Sequence, residues 1–140
     1  MTTISHCDIV YITKCDILNV DIEYSNIDER KTMDAHIRKV YVPMTETGFY
    51  ILYCLQEEMH GYNIGLRVKV MTCGEVTISP GTMYGTLSKM EKDGLISFLR
   101  EEDKRKIYQI TDLGRDVLNL ELARIERLYK NSKGERYNGR

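Results

Sequence analysis

The stretch from Ser79 to Lys106 concentrates the residues of this chain best suited to holding a polyanion. Lys104, Arg105 and Lys106 are consecutive, and Lys89 and Lys92 precede them by about a dozen residues. Upstream stand Ser79, Gly81, Thr82, Tyr84, Gly85 and Ser88. Ammonium and guanidinium groups donate to phosphate oxygens, which fixes a protein on a backbone without reading sequence. Hydroxyls donate and accept at base edges, and glycines let a helix backbone come close to a groove. Nothing comparable speaks for catalysis. There is no nucleophile elbow, phosphate-binding loop or metal-ligand cluster, and the three histidines are scattered.

A helix must carry the first group. Ser79 is a strong N-cap, Pro80 suits the first helical position, and Gly94 suits the position just past the end, which predicts a helix from Pro80 to about Asp93. Met83, Leu87 and Met90 form one apolar stripe. At about 100° per residue, Gly81, Gly85, Ser88, Lys89 and Lys92 point the other way, with Thr82 at the edge. The outer face is therefore small and hydroxylic early and cationic later. A plain amphipathic helix with a solvated polar face has the same pattern, so the helix alone does not decide.

A hairpin must carry the second group. Leu95-Ile96-Ser97-Phe98-Leu99 and Ile107-Tyr108-Gln109-Ile110 are rich in strand formers, and R-E-E-D-K-R-K lies between them. Three adjacent cations suit a loop tip over a phosphate backbone or minor groove. The preceding Glu101, Glu102 and Asp103 leave a merely charged, unpartnered turn as the alternative. Helix and hairpin together favour nucleic acid.

Residues Met44 to about Tyr129 resemble the PadR family of transcriptional regulators. The resemblance is carried by Phe49-Tyr50-Ile51-Leu52, His60-Gly61-Tyr62 and Pro80-Gly81-Thr82-Met83-Tyr84-Gly85. It continues through Leu87, Glu91, Gly94-Leu95-Ile96, Arg105-Lys106, Tyr108, Thr111 and Gly114. It implies a mainly α, α+β fold: a winged helix-turn-helix over 33–110 followed by a single dimerisation helix over 111–130. It also implies double-stranded DNA as the partner, read by Ser79, Gly81, Thr82, Tyr84, Gly85 and Ser88. Lys89, Lys92, Lys104, Arg105 and Lys106 would lie on phosphate.

Composition sets bounds. The 140 residues carry a formal net charge of −1. Three of the 20 basic and six of the 21 acidic side chains fall in residues 1–32, which leaves seventeen and fifteen in the remainder. The part that resembles the regulators is thus mildly basic, and local clusters rather than total charge set attraction to phosphate. No apolar run approaches the roughly 18 residues of a membrane span. Cys7, Cys15, Cys54 and Cys73 have no zinc-type spacing. We expect a cytoplasmic protein with reduced thiols, no metal or other cofactor, and no membrane contact.

Residues 1–32 stand apart. Cys7-Asp8-Ile9 recurs as Cys15-Asp16-Ile17, and no helical stripe runs through the segment. We expect an extension, disordered or produced by initiation upstream of a natural start at Met33. Residues 131–140 are polar and are expected to form a disordered tail.

The other helices complete the scheme. Thr45 should cap a helix carrying Phe49, Leu52, Tyr53 and Leu55 inward and ending near Glu58. Gly61 should open the next, with Ile64, Val68 and Met71 inward and Gly74 at its close. Thr111 should cap the last helix, whose Leu113, Val117 and Leu120 pack on the domain. Leu118, Leu122, Ile125 and Tyr129 then form a leftover strip for a second copy, which would place two recognition helices on a pseudo-palindromic operator.

The expected role is a repressor released by a small molecule or stress signal. Tyr50, Tyr53 and Tyr62 are candidate pocket residues, although tyrosines at helical spacing commonly belong to the core. The resemblance implies an effector pocket near the dimerisation helices. In some members a tryptophan there stacks on the ligand; this chain has none, and Ile125 takes that place. The competing reading is a protein–protein adaptor built on the same scaffold, which has no need of both the basic hairpin and the small-residue helix face.

Overall fold

The structure, a computed structural model, describes residues 33–139. The expectations for residues 1–32 lie outside the described residues. The chain runs α1 (Ala35–Tyr41), α2 (Glu46–Cys54), β1 (Met59–His60), α3 (Gly61–Met71), α4 (Pro80–Lys92), β2 (Ile96–Glu102), β3 (Arg105–Ile110) and α5 (Asp112–Ser132). The strands form one antiparallel sheet in the order β1-β3-β2. This is the mainly helical winged-helix arrangement that the sequence predicts.

Side-chain caps start each helix. Asp34, Thr45, His60, Ser79 and Thr111 accept from backbone amides in the first turns of α1 to α5 in that order. One core joins the elements: Ile51 and Leu52 of α2 and Leu55 at its C-cap meet Ile64 and Val68 of α3, Met83, Leu87 and Met90 of α4, and Val117 of α5. The inward stripe read for α4 is therefore the buried one.

Two glycines permit close approaches. A Cβ on Gly61 would stand 3.1–3.3 Å from Tyr84, Leu87 and Met83, so α3 meets α4 there almost backbone to side chain. A Cβ on Gly114 would strike the Leu95 carbonyl oxygen, where the first turn of α5 presses on the turn between α4 and β2. The Thr111 hydroxyl donates to the Gly94 carbonyl at 2.6 Å and accepts from the Gly114 amide at 3.1 Å. The ends of α4 and α5 are thus fastened together.

The details depart from expectation in several places. Helix α2 ends at Cys54, short of Glu58, because the chain turns at Gln56–Glu57 and pairs Met59 and His60 with Tyr108 and Ile107. That two-residue strand was not foreseen. Helix α3 stops at Met71, whose side chain is 44% exposed rather than inward. Positive φ at Cys73 and Gly74 then reverses the chain. Helix α5 reaches Ser132, a little beyond the expected end near Lys130, and the chain then turns back. Its Glu135 amide donates to the Lys130 carbonyl, and Tyr137 is half-buried with the Lys130 ammonium over its ring.

Candidate nucleic-acid interface

Helix α4 presents its polar face to solvent along its length. The Ser79 hydroxyl accepts from the Thr82 amide and lies 2.9 Å from the Thr82 hydroxyl, so both are pre-set at the first turn. Gly81, Thr82, Gly85, Ser88 and Lys92 are exposed, as is Tyr84. Nothing lies within 4 Å of a Cβ built on Gly81 or Gly85. An interior helical glycine costs roughly 0.5–1 kcal/mol relative to alanine. The protomer's own packing gives no reason for that cost at Gly85, so the open space there suits an external surface pressed against the backbone.

The hairpin is built to project. Asp103 and Lys104 have φ of 48° and 61°, the two positive values of a two-residue type I′ turn. Glu102 then faces Arg105, and Glu101 faces Lys106. The acidic residues that clouded the sequence reading are partly spoken for: Arg100 binds Glu102 and Glu58, each at 2.6 Å. Arg105 lies over the Tyr62 ring and Lys106 over the Phe98 ring, which leaves both cations exposed on apolar supports.

Hairpin and helix meet in a cleft of about 220 Å³ lined by His60, Gly61, Tyr84, Lys104, Arg105, Lys106 and Tyr108. No carboxylate lines it. Three cations, an exposed phenol and a histidine converge there, a donor set suited to a phosphate.

Some expected site residues stand elsewhere. Lys89 is not free: its ammonium is 2.7 Å from Asp93 Oδ2 and 3.4 Å from the Tyr41 hydroxyl. Leu118 is only 2% exposed and belongs to the protomer's own core, so it is withdrawn from the strip offered to a second copy. Leu122 also packs partly against that core, whereas Ile125 and Tyr129 are exposed. The candidate pocket tyrosines have separate surroundings. Tyr50 and Tyr53 are half-buried against Phe49 on α2, while Tyr62 is exposed beside the hairpin. Burial pushes the Cys54 thiol up, which keeps it protonated and unreactive; Cys73 is exposed.

Two features escaped sequence reasoning. Tyr62 belongs with the basic hairpin, a contact between residues 43 positions apart that no local pattern signals. The Tyr41–Asp93–Lys89 cluster joins α1 to the end of α4, and only the Lys89–Asp93 spacing was visible along the chain.

Residues 51–120 match the profile of the transcriptional regulator PadR-like family, half of the chain. The protein belongs to this family. Its PadR-like segment takes in α3, α4, the hairpin and the start of α5, so the interface described above lies almost wholly within it. Members of the family are transcription regulators rather than enzymes.

The transcriptional regulator YqjI of Escherichia coli (strain K12) is 28% identical over 78 residues, 56% of this chain. The chain spans 38% of the length of that curated relative. Among solved structures, a transcriptional regulator from Clostridium thermocellum shares the fold over 71% of this chain and 96% of its own, with a TM-score of 0.55 and 24% identity. Bacillus subtilis PadR, solved in complex with operator DNA, matches over 57% of this chain and 48% of its own. Its TM-score is 0.50, with 28% identity. Among the described residues, no helix is long and apolar enough to cross a membrane.

Proposed function

We propose that this PadR-like regulator binds duplex DNA sequence-specifically as a homodimer. Helix α4 enters the major groove and the β2–β3 hairpin lies on the adjoining backbone. The observation that carries this is the outer face of α4, where Gly81 and Gly85 leave open space beside a cleft walled by Lys104, Arg105 and Lys106. Thr82, Gly85 and Ser88 are the residues nearest base edges, and Tyr84, Lys92 and the hairpin cations hold phosphate. Tyr62, supporting Arg105, joins this set. The family relative solved on operator DNA supports the reading.

The second copy covers the exposed apolar residues of α1 and α5. Val40 is 38% exposed, Ile125 37%, Leu128 51% and Tyr129 59%. Such side chains on a long terminal helix favour burial against a partner, and the economical one is the same surface of another protomer. Two-fold symmetry then sets two α4 helices on inverted half-sites. In this reading the protein is a cytoplasmic repressor released by a small molecule or stress signal.

Selection of bound duplexes from a random pool tests it. The enriched sequences should form an inverted repeat with half-site centres about 10 base pairs, or a multiple, apart. Recovery of a pool with no enriched sequence would overturn sequence-specific binding and favour the adaptor reading.

A further inference from the structure

Lys89 stands one turn beyond Gly85 on the solvent side of α4, yet its charge is already answered within the protomer. Its ammonium donates to Asp93 Oδ2 at 2.7 Å and to the Tyr41 oxygen at 3.4 Å, and lies 4.9 Å from the centre of the Tyr41 ring. The Tyr41 hydroxyl donates to the same Asp93 oxygen at 2.6 Å. Tyr41 is buried on α1, and Asp93 is the C-cap of α4. One carboxylate oxygen therefore receives both an ammonium and a phenol from two helices. Lys92, on the same face, has no acidic partner among the described residues.

We propose that Asp93 is an internal counter-charge that withholds Lys89 from the DNA backbone, and that Tyr41 fixes the carboxylate in that role. The proposal rests on the DNA-binding reading above and adds a control on its strength. An ammonium neutralised by a neighbouring carboxylate has no condensed DNA counterion to displace, so it adds nothing to the salt dependence of binding. A phosphate must break the existing pair before Lys89 can contribute. Tyr41 makes that harder, because its hydroxyl hydrogen bond and its ring both favour the paired geometry. The hydrogen bonds to Lys89 and Tyr41 hold the Asp93 carboxyl below its ordinary range, which keeps the counter-charge ionised. The site thus has two kinds of cation: those of the hairpin together with Lys92, which are available, and Lys89, which is masked from within. Because the mask is anchored on α1, a displacement of that helix would release it.

The test is anisotropy of a labelled mixed-sequence duplex titrated with the full chain over a range of salt concentrations. Asp93→Asn keeps the shape and an acceptor for Tyr41 but removes the charge. It should tighten binding roughly threefold or more at low salt and steepen the log–log salt slope by about 0.9 per protomer engaged, one further phosphate contact each. Lys89→Met alone should leave the parental slope unchanged. The double substitution, which restores the parental net charge, should return both slope and affinity to parental values. Asp93→Ser provides the same removal of charge should the asparagine variant fold poorly. An unchanged or weaker Asp93→Asn, or a slope lost in Lys89→Met alone, would overturn the mask while leaving DNA binding in place. A parent chain with no salt-dependent binding would take down the functional reading, and the mask with it.

Discussion

At the scale of single residues, glycines separate function from stability most cleanly. Gly85 sits inside α4 with open space where a Cβ would stand. Gly85→Ala should therefore raise unfolding stability by about 0.5–1 kcal/mol in urea titration, through helix propensity alone. The same substitution should weaken duplex binding several-fold if α4 meets a groove. Stability gained with affinity unchanged would place the groove elsewhere. Gly114 behaves oppositely, because its missing Cβ would strike the Leu95 carbonyl and the Ile110 side chain. Gly114→Ala should cost roughly 3 kcal/mol, read as an earlier urea midpoint with an unchanged slope. The outward position of Gly85 was legible in the sequence, since it falls opposite the Met83–Leu87–Met90 stripe. The engagement of Lys89 was only half legible: Asp93 lies one helical turn away, but Tyr41 is 52 residues distant and nothing local announces it.

At the scale of elements, α4 and the hairpin were readable because each has explicit stops. Ser79, Pro80 and Gly94 bracket the helix. The Leu95 amide donates to the Met90 carbonyl and the Gly94 amide to that of Glu91, closing it as a glycine at positive φ does. Strand β1 was not readable. Two residues cannot show alternation, and their pairing depends on Tyr108 and Ile107 far along the chain. The contact between α1 and α4 makes its own prediction. The Tyr41 hydroxyl is pushed up to about 12, by burial first and then by its hydrogen bond to Asp93. The folded state thus favours the protonated phenol. The resulting stability is complete below the ordinary tyrosine value near 10 and is lost as pH rises from there through about 12. Tyr41→Phe should fall less steeply than the parent across that window in alkaline urea titrations. Parallel curves would show that the hydroxyl is not held in the folded protein.

At the scale of the whole molecule, the weak net charge makes the second copy part of the DNA argument. One protomer offers a single hairpin of three cations and one unmasked lysine on α4, a modest hold on phosphate. In the proposed dimer two copies would double the contacts and fix their spacing. The division of α5 into inward and outward residues was only partly legible. Leu118 looked like the start of the outer strip, but the first turns of α5 pack against α2 and β3 so closely that both Val117 and Leu118 are enclosed. Ile125, Leu128 and Tyr129 remain outside. Replacing Ile125 and Leu128 together by glutamate should shift sedimentation from dimer to folded monomer. Duplex affinity should fall by an order of magnitude or more, since paired engagement is lost. A monomeric parent chain would contradict this arrangement.

The salt dependence of duplex binding bears most directly on the central claim that α4 and the hairpin form a DNA interface. The parent protein should show log affinity falling linearly with log salt. Replacing Lys104, Arg105 and Lys106 together by alanine should flatten that slope by about 2–3 per protomer engaged and weaken binding to every duplex alike. A slope unchanged by the triple substitution, with the protein still folded, would contradict the account.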